Sequence, residues 1–257
     1  MSKDLPIGFF DSGIGGLSML AAAMKQLPNE RFVYLGDSAH APYGTKSDAQ
    51  VRALTMDAVK QLTNRGIKAL VVACNTATSA GINALRDAYQ FPVIGIEPAL
   101  KLAYDTHQDG LILVLATPLT VKSQKYRSLF EKYGQNAASL PSPGLMDFVE
   151  REELDSPALH RYLADLFAPY QDQVIDSVVL GCTHYLFLKD TITAHLPAGT
   201  RLLDSNDGVT RQLIKRLSEQ GLLASPHQLA QIDIISTGSA EKEAQLRRML
   251  KVAQSLF

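Results

Sequence analysis

The chain has no tryptophan and only two cysteines, Cys74 and Cys182, among 257 residues. Two thiols are too few for a disulfide framework or a four-thiolate zinc site. Net charge is also small, at -1. Neither nucleic acid nor an anionic membrane surface is therefore favoured as a partner on electrostatic grounds. No apolar run approaches the roughly 20 residues needed to cross a bilayer. The opening stretch "MSKDLPIGFFDSG" has no basic flank leading into a long apolar segment, so no signal peptide is expected. There is no low-complexity tract and no long block of like charge. A cytoplasmic protein with free thiols is the expectation.

What the chain does have is alternation. Its composition, 46% hydrophobic and 20% charged, is that of an ordinary globular protein. Its length suits one large domain or two medium ones. Short β-type runs, "PIGFF", "RFVYLGD", "KALVVAC" and "PVIGI", are separated by helix-type segments such as "GLSMLAAAMKQL" and "SAGINALRDAY". The segment "SDAQVRALTMDAVKQLTNRG" carries Ser47 or Asp48 as N-cap and Gly66 as C-cap. Strand-helix alternation of this kind predicts mostly parallel sheets with right-handed crossovers.

The second half repeats the order. "GLILVLATPLTVKSQKYRSLFEKY" reads as strand then helix, "ASLPSPGLMDFVEREEL" as a strand and its following loop, "SPALHRYLADLFAPY" as a helix, "DSVVLGC" as a strand and "LFLKDTITAHL" as a helix. Asp11 and Thr117 are 106 positions apart, and Cys74 and Cys182 are 108 apart. The near-constant offset predicts two similar, doubly wound α/β domains facing each other. "TRLLDSN" and the two helical segments after it are read as the return to the first domain. The domains are placed at 1–97 plus 206–257 and at 98–205.

In open α/β sheets, ligands sit beyond the carboxyl ends of the strands. The candidate polar residues lie there: Asp11 and Ser12, Asp37, Cys74 with Asn75 and Thr76, Thr117, and Cys182 with Thr183 and His184. A lone cysteine is ordinarily a small buried hydrophobe. Two cysteines that each end a strand and precede small polar groups point instead to chemistry. A thiolate can take a proton from one face of a carbon while a thiol returns one to the other face, with inversion. A free thiol has a pKa of about 8.5, so either form is accessible near neutrality. Such a pair needs neither metal nor cofactor, and none is expected. Asp11 and His184 are the candidate proton partners. The pair of possible ligands in "CTH" lacks zinc-site spacing. "DSGIGGLS" has the strand, glycine turn and helix order of an anion cradle, but position 18 is Ser18 where a dinucleotide fingerprint needs glycine. A substrate carboxylate is the anion that fits. "APYGTKS" places Tyr43 and Gly44 in a turn. His40, His107, His160, His195 and His227 read as surface or packing residues without partners, and Glu150 as a solvated surface charge.

Taken together, "FFDSGIGGLS", "LGDSAHAPYGTKS", "VVACNTATS" and "VVLGCTHYLFL" closely resemble the cofactor-independent glutamate racemases of the Asp/Glu racemase superfamily, over nearly the whole chain. The resemblance implies two pseudo-symmetric α/β domains with the active site between them. It implies interconversion of L- and D-glutamate by the two-thiol route, with D-glutamate supplied to peptidoglycan and so to cell-wall biogenesis and cell shape. Cys74 would then act on D-glutamate, assisted by Asp11, and Cys182 on L-glutamate, assisted by His184. Ser12, Tyr43, Gly44, Asn75, Thr76, Thr117 and Thr183 would hold the substrate, with Asp37 and Glu150 behind them. Where the family often reads Cys-Pro-Leu-x-Val-Pro-Leu-Val-Glu, this chain reads "SPGLMDFVE". Only ten residues precede Asp11, so activation through an N-terminal extension by a peptidoglycan precursor is not expected. A homodimer acting on a small-molecule substrate is expected. The alternatives are an aspartate racemase, a relative that decarboxylates or isomerises a diacid, and a non-catalytic binding protein for an acidic amino acid.

Overall fold

The computed structural model describes residues 2–257. Among these residues nine strands follow one another: β1 (Ile7–Asp11), β2 (Arg31–Gly36), β3 (Ala69–Val72), β4 (Val93–Gly95), β5 (Leu111–Ala116), β6 (Ala137–Pro141), β7 (Ile175–Leu180), β8 (Arg201–Leu203) and β9 (Gln231–Ser236). They form two sheets, ordered β4-β3-β1-β2-β9 and β6-β5-β7-β8, and every pairing is parallel. The chain divides into two compact units. One runs to Ile96 and resumes at Asn206–Phe257; the other is Glu97–Ser205.

The central strands are continuous apolar runs because parallel strands are covered on both faces. β1, β3 and all but the first residue of β5 are buried along their lengths. In the first sheet, β1 lies between β2 and β3, and β4 lies outside β3. In the second, β5 lies between β6 and β7, and β8 lies outside β7. The four-strand order is therefore the same in both units. In each unit the winding reverses beside the first strand, between β1 and β3 or between β5 and β7. The crevice at such a reversal is where open α/β sheets take ligands.

Several helices start where a side chain satisfies an orphan N–H group. Ser47 caps Asp48–Thr63 with a complete capping box through Gln50, a device contributing about 1 kcal/mol. The end of that helix departs from expectation. Asn64 is the C-cap, and Gly66 follows two residues later with φ 73°. Two further readings are corrected, and one strand is added. "TRLLDSN" does not begin the return to the first unit, since Arg201–Leu203 pairs with β7 in the second sheet. Gln231–Ser236, given no element from the sequence, is a strand paired with β2. The loop after β6 contains a short helix, Leu145–Glu150, opened by Gly144 at φ 80°.

At the amino end of the first sheet, Lys68 and Glu30 form a buried ion pair at 2.5 Å. Lys68 Nζ also donates to the Lys3 carbonyl at 2.6 Å. Glu30 Oε1 accepts from the Ala224 N–H at 2.9 Å. One pair thus ties the N-terminal segment, the starts of β2 and β3, and the segment leading to β9. Removing one partner of a buried pair strands a charge and costs roughly 3–5 kcal/mol, whereas exposed pairs contribute about 0–1. Glu30→Ala is expected to lower the urea midpoint of the first unit strongly. Asp207→Ala, which breaks an exposed pair with Arg211, is expected to leave it nearly unchanged. Equal effects would refute this ranking.

Candidate active site

The cluster around Cys74 is built at the β1/β3 reversal. Cys74 lies two residues beyond β3 and is the N-cap of the helix Asn75–Ala88. Its sulfur accepts the Ala77 N–H at 3.4 Å. A sulfur in that position meets the positive end of a 14-residue helix, which favours the thiolate. The Ser12 hydroxyl lies 3.6 Å from the same sulfur. Asp11 ends β1, is fully buried, and accepts the Gly13 N–H at 3.0 Å through Oδ2.

The loop "DSGIGG" packs too closely for a side chain at Gly16. A Cβ on Gly16 would lie 2.6 Å from Asp11 Cβ and 3.0 Å from Ala73 Cβ. The Tyr34 hydroxyl fixes the loop by donating to the Gly13 carbonyl at 2.7 Å. Tyr43 and Gly44 fall in the short helical turn Tyr43–Thr45. The Tyr43 hydroxyl donates to Asp37 Oδ2 at 2.6 Å. Burial, that hydrogen bond, and the negative charges of Asp37, Cys74 and Asp11 all push the Tyr43 hydroxyl upward, so it stays a donor. Asp37 is itself held by the Thr237 hydroxyl at 2.5 Å and by His40 Nδ1 at 2.8 Å. Asn75 and Thr76 are buried beside Cys74. Neither amide atom of the Asn75 side chain has a hydrogen-bond partner. Such a buried amide stands in the first turn after Cys74, the place where the sequence reading puts a substrate contact.

The cluster around Cys182 occupies the equivalent position in the second unit. Cys182 lies two residues beyond β7 and precedes the 3-10 helix Thr183–Leu188, without a side-chain capping bond. Its sulfur faces His184 Nδ1 at 3.7 Å. His184 Nε2 faces Glu150 Oε1 at 2.8 Å. Burial alone would lower the His184 pKa. The hydrogen bonds and charges of Cys182 and Glu150 outweigh it and hold the imidazole well above its ordinary value. Thr117, beyond β5, caps Pro118–Lys122 by accepting the Thr120 N–H at 3.2 Å. Thr183 is buried in the same unit.

Two sequence readings are corrected here. Glu150 is not a solvated charge; it orients His184, and its side chain is 14% exposed. Nor are the other histidines all without partners. His40 meets Asp37, His107 meets the Gly110 carbonyl, and His160 meets both Asp155 and His195. Thr237 was not singled out at all, although it follows a strand end as the other site residues do. Among the described residues, no group of three or more His, Cys, Asp or Glu could hold a metal ion. No helix among them is long and apolar enough to cross a membrane.

The profile of the Asp/Glu/Hydantoin racemase family matches residues 16–213. The chain belongs to this racemase family. Among the family's curated members, the glutamate racemase of Clostridium botulinum strain Alaska E43 is 45% identical over 251 residues, covering 96% of this chain and 97% of the relative. Two solved structures share the racemase architecture. A glutamate racemase isoform from Bacillus anthracis superposes with a TM-score of 0.87 at 32% identity, covering 97% of this chain and 95% of that one. The Escherichia coli glutamate racemase, in complex with L-glutamate and the activator UDP-MurNAc-ala, gives 0.86 at 30% identity, covering 97% and 95%.

The His184 pair with Glu150 makes a pH prediction. A raised folded-state pKa contributes stability that is full below the unfolded value of about 6.5. That contribution is lost as pH rises through the raised value. Glu150→Gln removes one of the two opposing charges, so burial gains weight and the His184 pKa falls. Imidazole NMR is expected to show His184 losing its proton at lower pH in Glu150→Gln than in the unaltered chain. The variant's stability deficit should be larger at pH 6 than at pH 9. An unchanged titration would refute the role given to Glu150.

Proposed function

We propose that this racemase interconverts L- and D-glutamate, with Cys74 and Cys182 exchanging protons at Cα from opposite faces. The observation that carries the reading is the matched placement of the two thiols. Each sits two residues beyond the strand bordering its own sheet's reversal, and each has a different group poised on its sulfur. The substrate class is supported by the curated relative at 45% identity, a glutamate racemase.

In this reading the Cys74 thiolate removes the Cα proton of D-glutamate while the Cys182 thiol delivers one to the other face. The reverse direction exchanges the roles. The Ala77 N–H and the helix end stabilise sulfur charge on Cys74. The His184 imidazolium stabilises it on Cys182 and can return a proton to it. Asp11 assists Cys74, as His184 assists Cys182. Asn75 offers a donor and an acceptor to the amino acid's charged groups. Ser12, Tyr43, Gly44, Thr76, Thr117 and Thr183 supply further contacts, and Asp37 holds Tyr43 in place. Inversion by this route requires both thiols to reach one bound substrate. Neither metal nor cofactor enters the chemistry. A cytoplasmic homodimer that supplies D-glutamate for peptidoglycan completes the proposal.

The test is exchange in D₂O. L-glutamate is expected to acquire deuterium at Cα with inversion, and L-aspartate under the same conditions is not. Cys74→Ser and Cys182→Ser should each lose racemisation by more than about 10², since a hydroxyl is too weak an acid to replace the thiol. Elimination from a β-substituted glutamate needs one base only. Each variant should retain it for one enantiomer and lose it for the other. Near-normal racemisation by either variant would sink the two-base assignment, and tight binding without exchange would mark a binding protein.

A further inference from the structure

A second cluster of titratable side chains lies in the second unit and takes no part in the chemistry above. His160 is the fourth residue of the helix Pro157–Phe167, whose N-cap is Ser156 with Asp155 just before it. His195 follows the helix Lys189–Thr193, where its N–H donates to the Ile192 carbonyl at 3.0 Å. The Thr191 hydroxyl donates to the Leu154 carbonyl at 2.7 Å. That bond holds the two segments together. His160 Nδ1 and His195 Nε2 are 2.9 Å apart, and both residues remain partly open to solvent. On the far side of the His160 ring, Nε2 meets Asp155 Oδ1 at 2.8 Å.

We propose that His160 Nδ1 and His195 Nε2 form a two-nitrogen site for a borderline divalent cation, zinc or its copper and nickel neighbours, with water completing the coordination. Two neutral imidazoles are ligands of the type that these ions prefer. The spacing fits without moving the backbone. A zinc–nitrogen bond of about 2.0–2.1 Å puts each ring centre about 3.2 Å from the metal, so a tetrahedral angle separates the centres by about 5.2 Å. The observed ring centres are 5.1 Å apart. The rings therefore need to tilt toward a common point, not to translate. Asp155 supplies the outer-shell carboxylate that commonly accepts the second N–H of a metal-bound histidine and fixes its tautomer. With Nε2–H of His160 given to Asp155, Nδ1 already presents a lone pair. His195 currently donates its Nε2–H into that lone pair. Metal binding requires this proton to move to His195 Nδ1, through solvent, so the pair binds the cation with no net proton release while both rings are neutral. Among the described residues no third acidic, thiol or imidazole group joins the cluster, so binding should be of the moderate strength that two ligands allow.

The experiment is a Zn²⁺ titration of the ¹⁵N-labelled full-length chain, read on the histidine ring nitrogens. His160 and His195 are expected to shift together and saturate at one equivalent, with His107 and His227 unmoved. His160→Asn and His195→Asn should each weaken binding more than tenfold. Asp155→Asn should weaken it by about tenfold. Its side chain is 80% exposed, so this variant keeps the test alive should either histidine variant fold poorly. Zinc that perturbs only His184 beside Cys182, or that binds equally well to all three variants, would overturn the proposal.

Discussion

Parallel strands have one constraint that governs everything else in this chain: all their carboxyl ends emerge on the same edge. Where winding reverses, the connecting loops diverge to opposite faces of the sheet and leave a crevice that side chains from both neighbouring loops can line. β1 and β3 create one such crevice, and β5 and β7 create another. Cys74 and Cys182 each occupy the second position after the strand concerned. Neither thiol needs a special backbone to reach its place. The sheet order puts it there, and Gly16 keeps the loop beside Cys74 thin enough for Asp11 and Ala73 to lie against it.

The two thiols are placed alike but served differently. Cys74 receives a backbone N–H at the end of a helix of 14 residues. That fixed partial charge cannot be titrated away. Cys182 precedes only a 3-10 segment and has no capping bond. A short helix end has little dipole to offer, and His184 with Glu150 supplies a full, titratable charge in its place. A two-base mechanism needs its bases in opposite starting protonation states. One permanent and one exchangeable stabiliser is a physical way to hold that asymmetry. The pH response of this racemase should therefore be written mainly in the second unit.

Legibility in the sequence followed the strength of local pattern. β1, β3, β5 and β7 are apolar runs ending in polar residues, and the 106- and 108-residue offsets exposed the repeat that the matching strand orders display. β9 escaped because Gln231 and Asp233 alternate with its isoleucines and it pairs on one side only, with β2. An edge strand needs less apolar character, so its signal is weaker. With β9 went Thr237, although it stands beyond a strand end as Cys74 does. Glu150 was reached only through the family resemblance, because its own surroundings in the sequence hide it. It lies 34 residues from His184 in sequence, and its neighbours Arg151, Glu152 and Glu153 resemble an ordinary charged surface. The available signal was on its N-terminal side: Leu145, Met146, Phe148 and Val149 are all buried, a helical spacing that draws the next residue inward.

The ion pair of Glu30 with Lys68 shows the opposite relation between chemistry and place. It is a deeply buried opposite-charge pair, yet it lies at the amino ends of β2 and β3, away from the carboxyl edge that carries Cys74. Buried pairs contribute little net stability compared with an apolar substitute, because desolvation offsets most of the attraction. What this one does contribute is connection. Its atoms meet Lys3, the start of β3, the start of β2 and Ala224. The first unit is discontinuous in sequence, and its returning segment must pair at the correct edge of the sheet. A buried carboxylate oxygen, Glu30 Oε1, that accepts the Ala224 N–H penalises misplacement of that segment. β9 then pairs with β2 in the register that brings Thr237 to Asp37, so the polar contact at one end of the sheet helps set the hydrogen bond that positions Tyr43 at the other.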